Sequence, residues 1–398
     1  MEHKTRIKGN VHYVGVNDRN KHRFEGMWPL PYGVSYNSYL IDDEMVALVD
    51  TVDICYFEVY LRKIKQVIGE RPINYLIINH MEPDHSGSIR LIKQHYPEII
   101  IVGNKQTFGM IEGFYGVTGE QYLVKEGDFL ALGHHKLRFY MTPMVHWPET
   151  MMTFDETDGV LFSGDGFGCF GTVDGGFLDT RINVDKYWGE MVRYYSNIVG
   201  KYGSPVQKAL QKLGGLPISA ICSTHGPVWT ENIAKVIGIY DRLSRYDADE
   251  GVVIAYGSMY GNTEQMAEAI AEELSAQGVK NIVMHNVTKS HPSYIIADIF
   301  RYKGLIIGSP TYSNQIFPEV EALLSKILLR EVKGRYLGCF GSFAWAGAAV
   351  KRLAEFAEKS KFELVGDPVE MKQAMKDLTY TQCENLARAM ADRLKKDR

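Results

Sequence analysis

Cysteine is scarce in this chain and follows no pattern: five occur, Cys55, Cys169, Cys222, Cys339 and Cys383, with no Cys-x-x-Cys spacing. That leaves no thiolate set for an iron–sulfur or rubredoxin-type centre. An odd, scattered set predicts reduced thiols in a reducing compartment, each first of all a small buried apolar residue. Long apolar runs are missing too. No stretch is long and apolar enough to span a membrane. The N-terminal segment mixes charges with short apolar runs and lacks the apolar core of a signal peptide. These absences predict a cytoplasmic protein with no membrane contact. Nor does one charge dominate: the formal net charge is -4, so bulk electrostatics give no case for a nucleic-acid partner. There are no internal repeats and no low-complexity segments.

What is present is the composition of a globular protein, 45% hydrophobic and 23% charged over 398 residues. That length suits two domains and buries a core without disulfides. The character changes at residues 246–250, Tyr-Asp-Ala-Asp-Glu, between a helical pattern over 231–246 and an apolar strand opening at Gly251. The boundary is placed there, giving domains over 1–249 and 250–398. In the second part, apolar runs at 252–256, 282–287, 304–307, 335–341 and 362–366 alternate with helical patterns over 263–276, 294–302, 319–329, 348–359 and 381–395. Met266, Ala267, Ile270 and Leu274, for example, share one helix face. Five strands alternating with helices predict a doubly wound parallel sheet. The first part is less regular. Strands are expected over 11–16, 36–41, 45–50, 74–79, 136–142, 150–154, 160–163 and 218–223, and helices over Phe57–Ile68 and 186–199. That order suits a β-sandwich flanked by helices, so the whole is read as α/β.

The sharpest signal follows the strand at 74–79: His80-Met81-Glu82-Pro83-Asp84-His85, four potential ligands in six residues. Three further sites share its flavour: His146 before Trp147-Pro148, Asp165 within Gly164-Asp165-Gly166, and His225 before Gly226-Pro227. Each follows a strand-like run and has Gly or Pro within two residues, which suits loops converging on one sheet edge. A lone His or Asp in such a turn is ordinarily a turn or capping residue. The cluster differs, because gathering these groups without a cation is costly. Imidazole and carboxylate without thiolate suit Fe, Mn or Zn. Seven candidates are too many for one ion and suit two, with one carboxylate bridging.

A second constellation lies in the second part. Ser258-Met259-Tyr260-Gly261-Asn262-Thr263 follows the first strand and runs into a helix. Hydroxyls, a glycine and backbone amides at a helix N-terminus form an anion site, although an ordinary N-cap would look similar. Ser309-Pro310-Thr311-Tyr312-Ser313-Asn314 follows the third strand. Ser342-Phe343-Ala344-Trp345-Ala346-Gly347 follows the fourth. In a 2-1-3-4-5 sheet these three loops flank the switch point where such folds bind ligands. Their aromatics and small residues can sandwich a planar ring.

The order His-x-Glu-x-Asp-His, then His146, Asp165 and His225, resembles the metallo-β-lactamase fold, whose hydrolases usually carry His-x-His-x-Asp-His. Glu82 stands in place of the second His. That exchange, with a second part that resembles flavodoxin from about Gly251 onward, is similar to the flavodiiron proteins (A-type flavoproteins) over essentially the whole chain. The resemblance implies a metallo-β-lactamase-like αββα sandwich followed by a flavodoxin-like sheet. It implies that His80, Glu82 and His146 hold one iron, that Asp84 and His225 hold a second, and that Asp165 bridges. His85 follows the motif but is not always a ligand in that family. An anionic oxygen ligand such as Glu82 stabilises ferric iron relative to imidazole and favours a redox metal over zinc. The resemblance further implies FMN, its phosphate on Ser258, Tyr260, Asn262 and Thr263 and its ring near Tyr312, Asn314 and Trp345. Tyr194 or Tyr195 resembles the tyrosine that the family places near the metal pocket.

The implied activity is reduction of dioxygen to water or of nitric oxide to nitrous oxide. Two ferrous ions and a two-electron-reduced flavin together store the four electrons that one O2 takes; two NO take two. The implied donor is rubredoxin or a reduced flavin-type cofactor. The implied assembly is a head-to-tail homodimer, or a dimer of such dimers, in which each flavin serves the partner's metals. Two other classes remain open at this point: a dizinc metallohydrolase with a flavodoxin-like docking module, and an electron carrier without turnover.

Overall fold

The computed structural model describes residues 4–397; the first three residues of the segment read above for a leader lie outside them. The chain divides into two compact units. One comprises Met1–Tyr195 and Tyr202–Ser244, the other Ser196–Lys201 and Arg245–Arg398.

The first unit contains two main sheets. One runs in the order Arg6–Lys8, Val11–Tyr13, Tyr39–Ile41, Ala47–Val49, Tyr75–Ile77, Ile100–Gly103, Gln121–Leu123. The other runs Phe129–Ala131, Lys136–Met141, Met151–Asp155, Val160–Gly164, Ala220–Ser223. Val11, Ile41, Val49 and Ile77 of the first share one buried cluster with Leu137, Phe139, Val160 and Phe162 of the second. The sheets therefore pack face to face as a sandwich. Helix Phe57–Ile68 shows how the flanking layers attach. Its buried Phe57, Tyr60, Ile64 and Ile68 recur at helical spacing, and the Tyr60 hydroxyl bonds Ser38 Oγ at 2.7 Å.

The second unit carries a parallel sheet in the order Ile282–Asn286, Asp249–Tyr256, Tyr302–Tyr312, Tyr336–Phe343, Glu363–Leu364. That is the 2-1-3-4-5 order expected from the resemblance to flavodoxin. Among the described residues no helix is long and apolar enough to cross a membrane.

Several local expectations need correction. The strand at 304–307 is longer, Tyr302–Tyr312. Ser309 and Pro310, read as loop, stay in register with Gly341 and Ser342. The helix over 186–199 is an α-helix over Asp185–Tyr194 continued by a π-turn over Tyr195–Val199. The fifth strand is short, and Val369–Lys372, not foreseen, pairs with the far half of Tyr336–Phe343. Strand Ile100–Gly103 and helix Lys105–Tyr115 were not foreseen either. Gly109 and Gly113 weaken that helix's signature, while Asn104 caps it by accepting from the amides of Gln106 and Thr107.

Candidate functional site

Strand ends deliver the metal candidates to one edge of the sandwich. Gly164 and Ser223 are register partners in parallel neighbouring strands, so Asp165 and His225 leave the sheet side by side. Met141 pairs with Met151 across the adjoining hairpin, which brings the loop carrying His146 to the same edge. The other sheet contributes the end of Tyr75–Ile77. Asn79 ties it in, its carbonyl accepting from Met151 N–H at 3.0 Å and its side-chain oxygen from Thr153 Oγ1 at 2.8 Å. The chain then turns through His80–Glu82 into a short helix, Pro83–Ser86, with proline at its start. Buried Asp50 holds this turn, accepting from Asn79 N–H at 2.8 Å.

All seven metal candidates are buried and come together. Asp165 sits between two groups. Its Oδ2 lies 3.1 Å from His146 Nε2 and 3.6 Å from His80 Nε2. Glu82 Oε2, 3.0 Å from His146 Nε2, completes that group. Asp165 Oδ1 lies 3.2 Å from His85 Nε2 and 3.6 Å from His225 Nε2. Asp84 completes the second group, with Oδ2 3.2 Å from His225 Nε2. Atoms bound at about 2.1 Å to one ion lie about 3 Å apart at right angles, so both groups have the spacing of a shared coordination sphere. His85 belongs to both sets of converging atoms.

The electrostatics describe a cluster short of positive charge. Burial lowers the pKa of each imidazole, yet the neighbouring carboxylates push His80, His146 and His225 up and His85 to about 10. Burial raises Asp165, and the surrounding histidines, His85 first, overcome it and hold the carboxylate well below its usual range. Both oxygens of Asp84, both ring nitrogens of His85 and Nε2 of His225 are buried without a hydrogen bond. Unsatisfied buried groups of this kind cost about 1–3 kcal/mol each, which bound cations relieve. The donor set therefore fits two ions.

Outer partners orient the ligands, and nothing in their sequence context marks them. Glu149 Oε1 lies 2.7 Å from His80 Nδ1 and accepts from Met81 N–H at 2.9 Å. His225 Nδ1 donates to the Ser35 carbonyl at 2.8 Å, turning Nε2 inward. The Thr224 hydroxyl donates to Asp165 Oδ1. Of the two tyrosines, Tyr194 lies against the cluster, its ring 5.8 Å from His225 and its buried hydroxyl unpartnered. Tyr195 points elsewhere, edge-on to Tyr240 at 5.0 Å, because successive helical residues face about 100° apart. A cavity of 710 Å³ opens over Glu82 and Asp84 and is walled by Lys21, Phe24, Glu25, Asp53, Arg90 and Tyr115.

In the second unit, Met259, Tyr260, Asn262, Pro310, Thr311, Tyr312, Asn314, Ser342, Phe343, Ala344 and Trp345 line a cavity of 480 Å³. Gln373, not foreseen, joins them. Ser258, Gly261, Thr263, Ser309 and Gly347 are not part of that lining. Ser258 Oγ accepts from Gly261 N–H at 3.1 Å, and Thr263 Oγ1 bonds Ser342 Oγ at 2.8 Å. Ser309 Oγ accepts from Phe317 N–H at 3.1 Å. A Cβ at Gly347 would meet only the end of the exposed Glu370 side chain, which can move aside. Helix Asn262–Ala276 starts behind Gly261 at φ +89° with no side-chain cap, so its first amides remain free for an anion. Trp345 is 83% and Tyr312 48% exposed at the cavity, a pair of apolar faces that a planar ring would cover. The features fit a flavin mononucleotide.

Comparison with known proteins agrees with both halves. Residues 34–226 match a family described as ODP family beta lactamase, and residues 254–386 match flavodoxin. The chain is 32% identical over 363 residues to an anaerobic nitric oxide reductase flavorubredoxin of Vibrio vulnificus, spanning 90% of this chain and 73% of that one. Among solved structures, it is similar to rubredoxin oxygen:oxidoreductase from Desulfovibrio gigas, with 31% identity, 98% of each chain covered and a TM-score of 0.94. It is also similar to the flavodiiron protein from Giardia intestinalis, with 26% identity, 98% of this chain and 97% of that one covered and a TM-score of 0.91.

Proposed function

Because this chain belongs to the flavodiiron family, we propose that it is an oxidoreductase that reduces dioxygen to water or nitric oxide to nitrous oxide. Its cofactors are two non-haem irons and FMN. We assign His80, Glu82 and His146 to one iron, Asp84 and His225 to the other, with His85 beside it and Asp165 between them. The observation that most supports this reading is the division of Asp165, one carboxylate oxygen toward each group of ligands. Bound there, the irons would supply the chemistry of binding and reducing the diatomic, and the flavin would supply electrons drawn from an external donor. Glu149 and the Ser35 carbonyl fix ring orientation, so that each imidazole presents Nε2 inward. The buried Tyr194 hydroxyl, unpartnered beside His225, is a hydrogen-bond donor available to the metal site.

The cofactor domains are assigned as 1–249 for iron and 250–398 for FMN. A rubredoxin is the donor class suggested by the name of the Desulfovibrio gigas protein. A reducing cytoplasm suits five cysteines that are all unbridged. The test is metal and flavin analysis of the purified protein, followed by steady-state rates with each gas under one donor. Two irons and one FMN per chain, with turnover of at least one gas, are expected. Two zincs, no flavin and hydrolytic turnover would overturn the reading.

A further inference from the structure

Above the metal candidates hangs a two-stranded hairpin, Arg23–Phe24 paired with Trp28–Pro29. The Phe24 carbonyl accepts from Met27 N–H at 2.9 Å, closing a turn whose central residues are Glu25 at φ +49° and Gly26 at φ +70°. Turns with two left-handed central residues favour Asn, Asp or Gly. A glutamate at the first of them is not a residue that such a turn favours, and such outliers cluster at working sites.

The flanks fix where this glutamate goes. Phe24 is buried edge-on to His225 with ring centroids 5.3 Å apart. Trp28 is buried, and its indole N–H donates to Glu25 Oε2 at 2.9 Å. So tethered, Glu25 lines the cavity over Glu82 and Asp84 while remaining solvent-exposed. The other charged groups of that wall are engaged elsewhere: Lys21 pairs with Asp53 at 3.2 Å, and Arg90 donates to the Tyr115 carbonyl at 2.9 Å. Glu25 has no basic partner within ion-pair distance among the described residues.

We propose that Glu25 is the proton relay between solvent and the substrate cavity. This rests on the reading of the site as a reducer of dioxygen or nitric oxide. Dioxygen takes four protons with four electrons, breaks its O–O bond and leaves as two waters. Two NO take two protons with two electrons and give N2O and one water. The electrons come from the external reduced donor by way of the flavin. The Glu25 carboxyl gives its proton to the substrate oxygen and regains one from water at its exposed face.

The test uses Glu25→Gln, Glu25→Asn and Glu25→Gly in the iron- and flavin-loaded protein, with rates taken per iron pair. Glu25→Gln should lower kcat by about 10²-fold, a typical share for a positioned acid, with KM within roughly twofold. Glu25→Asn suits the turn better, so its Tm should equal or exceed the parent's while kcat falls as far. Formate should restore part of the rate to Glu25→Gly. Infrared difference spectra on reduction should show a carboxylic-acid C=O band that shifts in D2O and is absent in Glu25→Gln. Full kcat per iron pair in Glu25→Gln or Glu25→Asn, or a rate loss that merely follows iron loss, would overturn the relay. A parent protein that reduces neither gas would instead sink the underlying reading.

Discussion

At the scale of single residues, Asp165 and Glu149 should separate inner from outer roles. Asp165→Asn removes an anionic oxygen from both groups at once. It should weaken both irons by more than the roughly 10–100-fold that loss of an outer partner costs. Of the metal candidates, Glu149→Gln touches only His80, and it should cost about that outer-partner amount at one iron alone. Iron titration of the two variants checks the contrast, and equal, selective loss in both would rule out the bridge. Stripping the metal gives a second expectation. The imidazoles of the metal-free cluster have folded pKa values raised above the unfolded value of about 6.5. Groups raised on folding stabilise fully below the unfolded pKa and lose that contribution as pH rises through the folded one. The metal-free protein should therefore lose Tm between about pH 6.5 and the His85 value of about 10, whereas the iron-loaded protein, its imidazoles held by cations, should not. Calorimetry of both forms decides it, and a flat metal-free profile would contradict the charge deficit. The ligand candidates were legible because residue type and turn context coincide within a few positions. Glu149 and Glu25 were not, since a lone glutamate in a loop carries no local mark and gains its meaning from what the fold brings beside it.

At the scale of elements, the parallel sheet was legible because its strands are continuous apolar runs separated by amphipathic helices. The order 2-1-3-4-5 came with the resemblance to flavodoxin, since right-handed crossovers alone admit other orders. What escaped was where elements end. Residues 309–312 look like a loop by composition, yet neighbouring strands keep them paired, a tertiary effect that local pattern does not carry. The π-turn at Tyr195–Val199 was hidden for the same reason. The start of the second unit has an energetic consequence. Arg335 is buried, and it donates to the carbonyls of Ile299, Phe300, Lys333 and Tyr246, the last at 2.9 Å. Burial pushes its pKa down to about 10, so each of these acceptors matters. A fragment beginning at Gly251 should fold and bind FMN, but it gives up the Tyr246 carbonyl and the first residues of strand Asp249–Tyr256. A fragment beginning at Arg245 keeps both. The longer fragment should be more stable by about 1.5–3 kcal/mol, the range for a hydrogen bond to a charged group, as read by urea unfolding with flavin absorbance. Equal midpoints would show that Arg335 finds water instead.

At the scale of the whole molecule, two centres must exchange electrons, and each is built from one unit's residues. The metal candidates and their outer partners all fall in the first unit, and the flavin cavity in the second. The polar connection at 246–250 does not by itself make the two centres of one chain neighbours. We propose a head-to-tail homodimer, alone or doubled, which would resolve this with one self-complementary interface, because a two-fold axis repeats any flavin-to-metal approach twice. In that arrangement Trp345, 83% exposed beside the flavin cavity, is the candidate to lie between the centres. Subunit exchange tests the arrangement. His80→Ala removes one metal site and leaves the flavin; Asn262→Ala with Thr263→Ala removes the flavin and leaves the metals. Each variant alone should be inactive. After mixing and verified exchange, a heterodimer holds one intact flavin facing one intact metal site across the interface. Half of the chains in a random mixture then sit in such dimers, so activity should return to roughly a quarter of the parent's per chain, as the statistics of paired association require. Verified exchange with no recovered activity would mean that electrons pass within one chain, and the head-to-tail dimer would no longer be needed to connect the two centres.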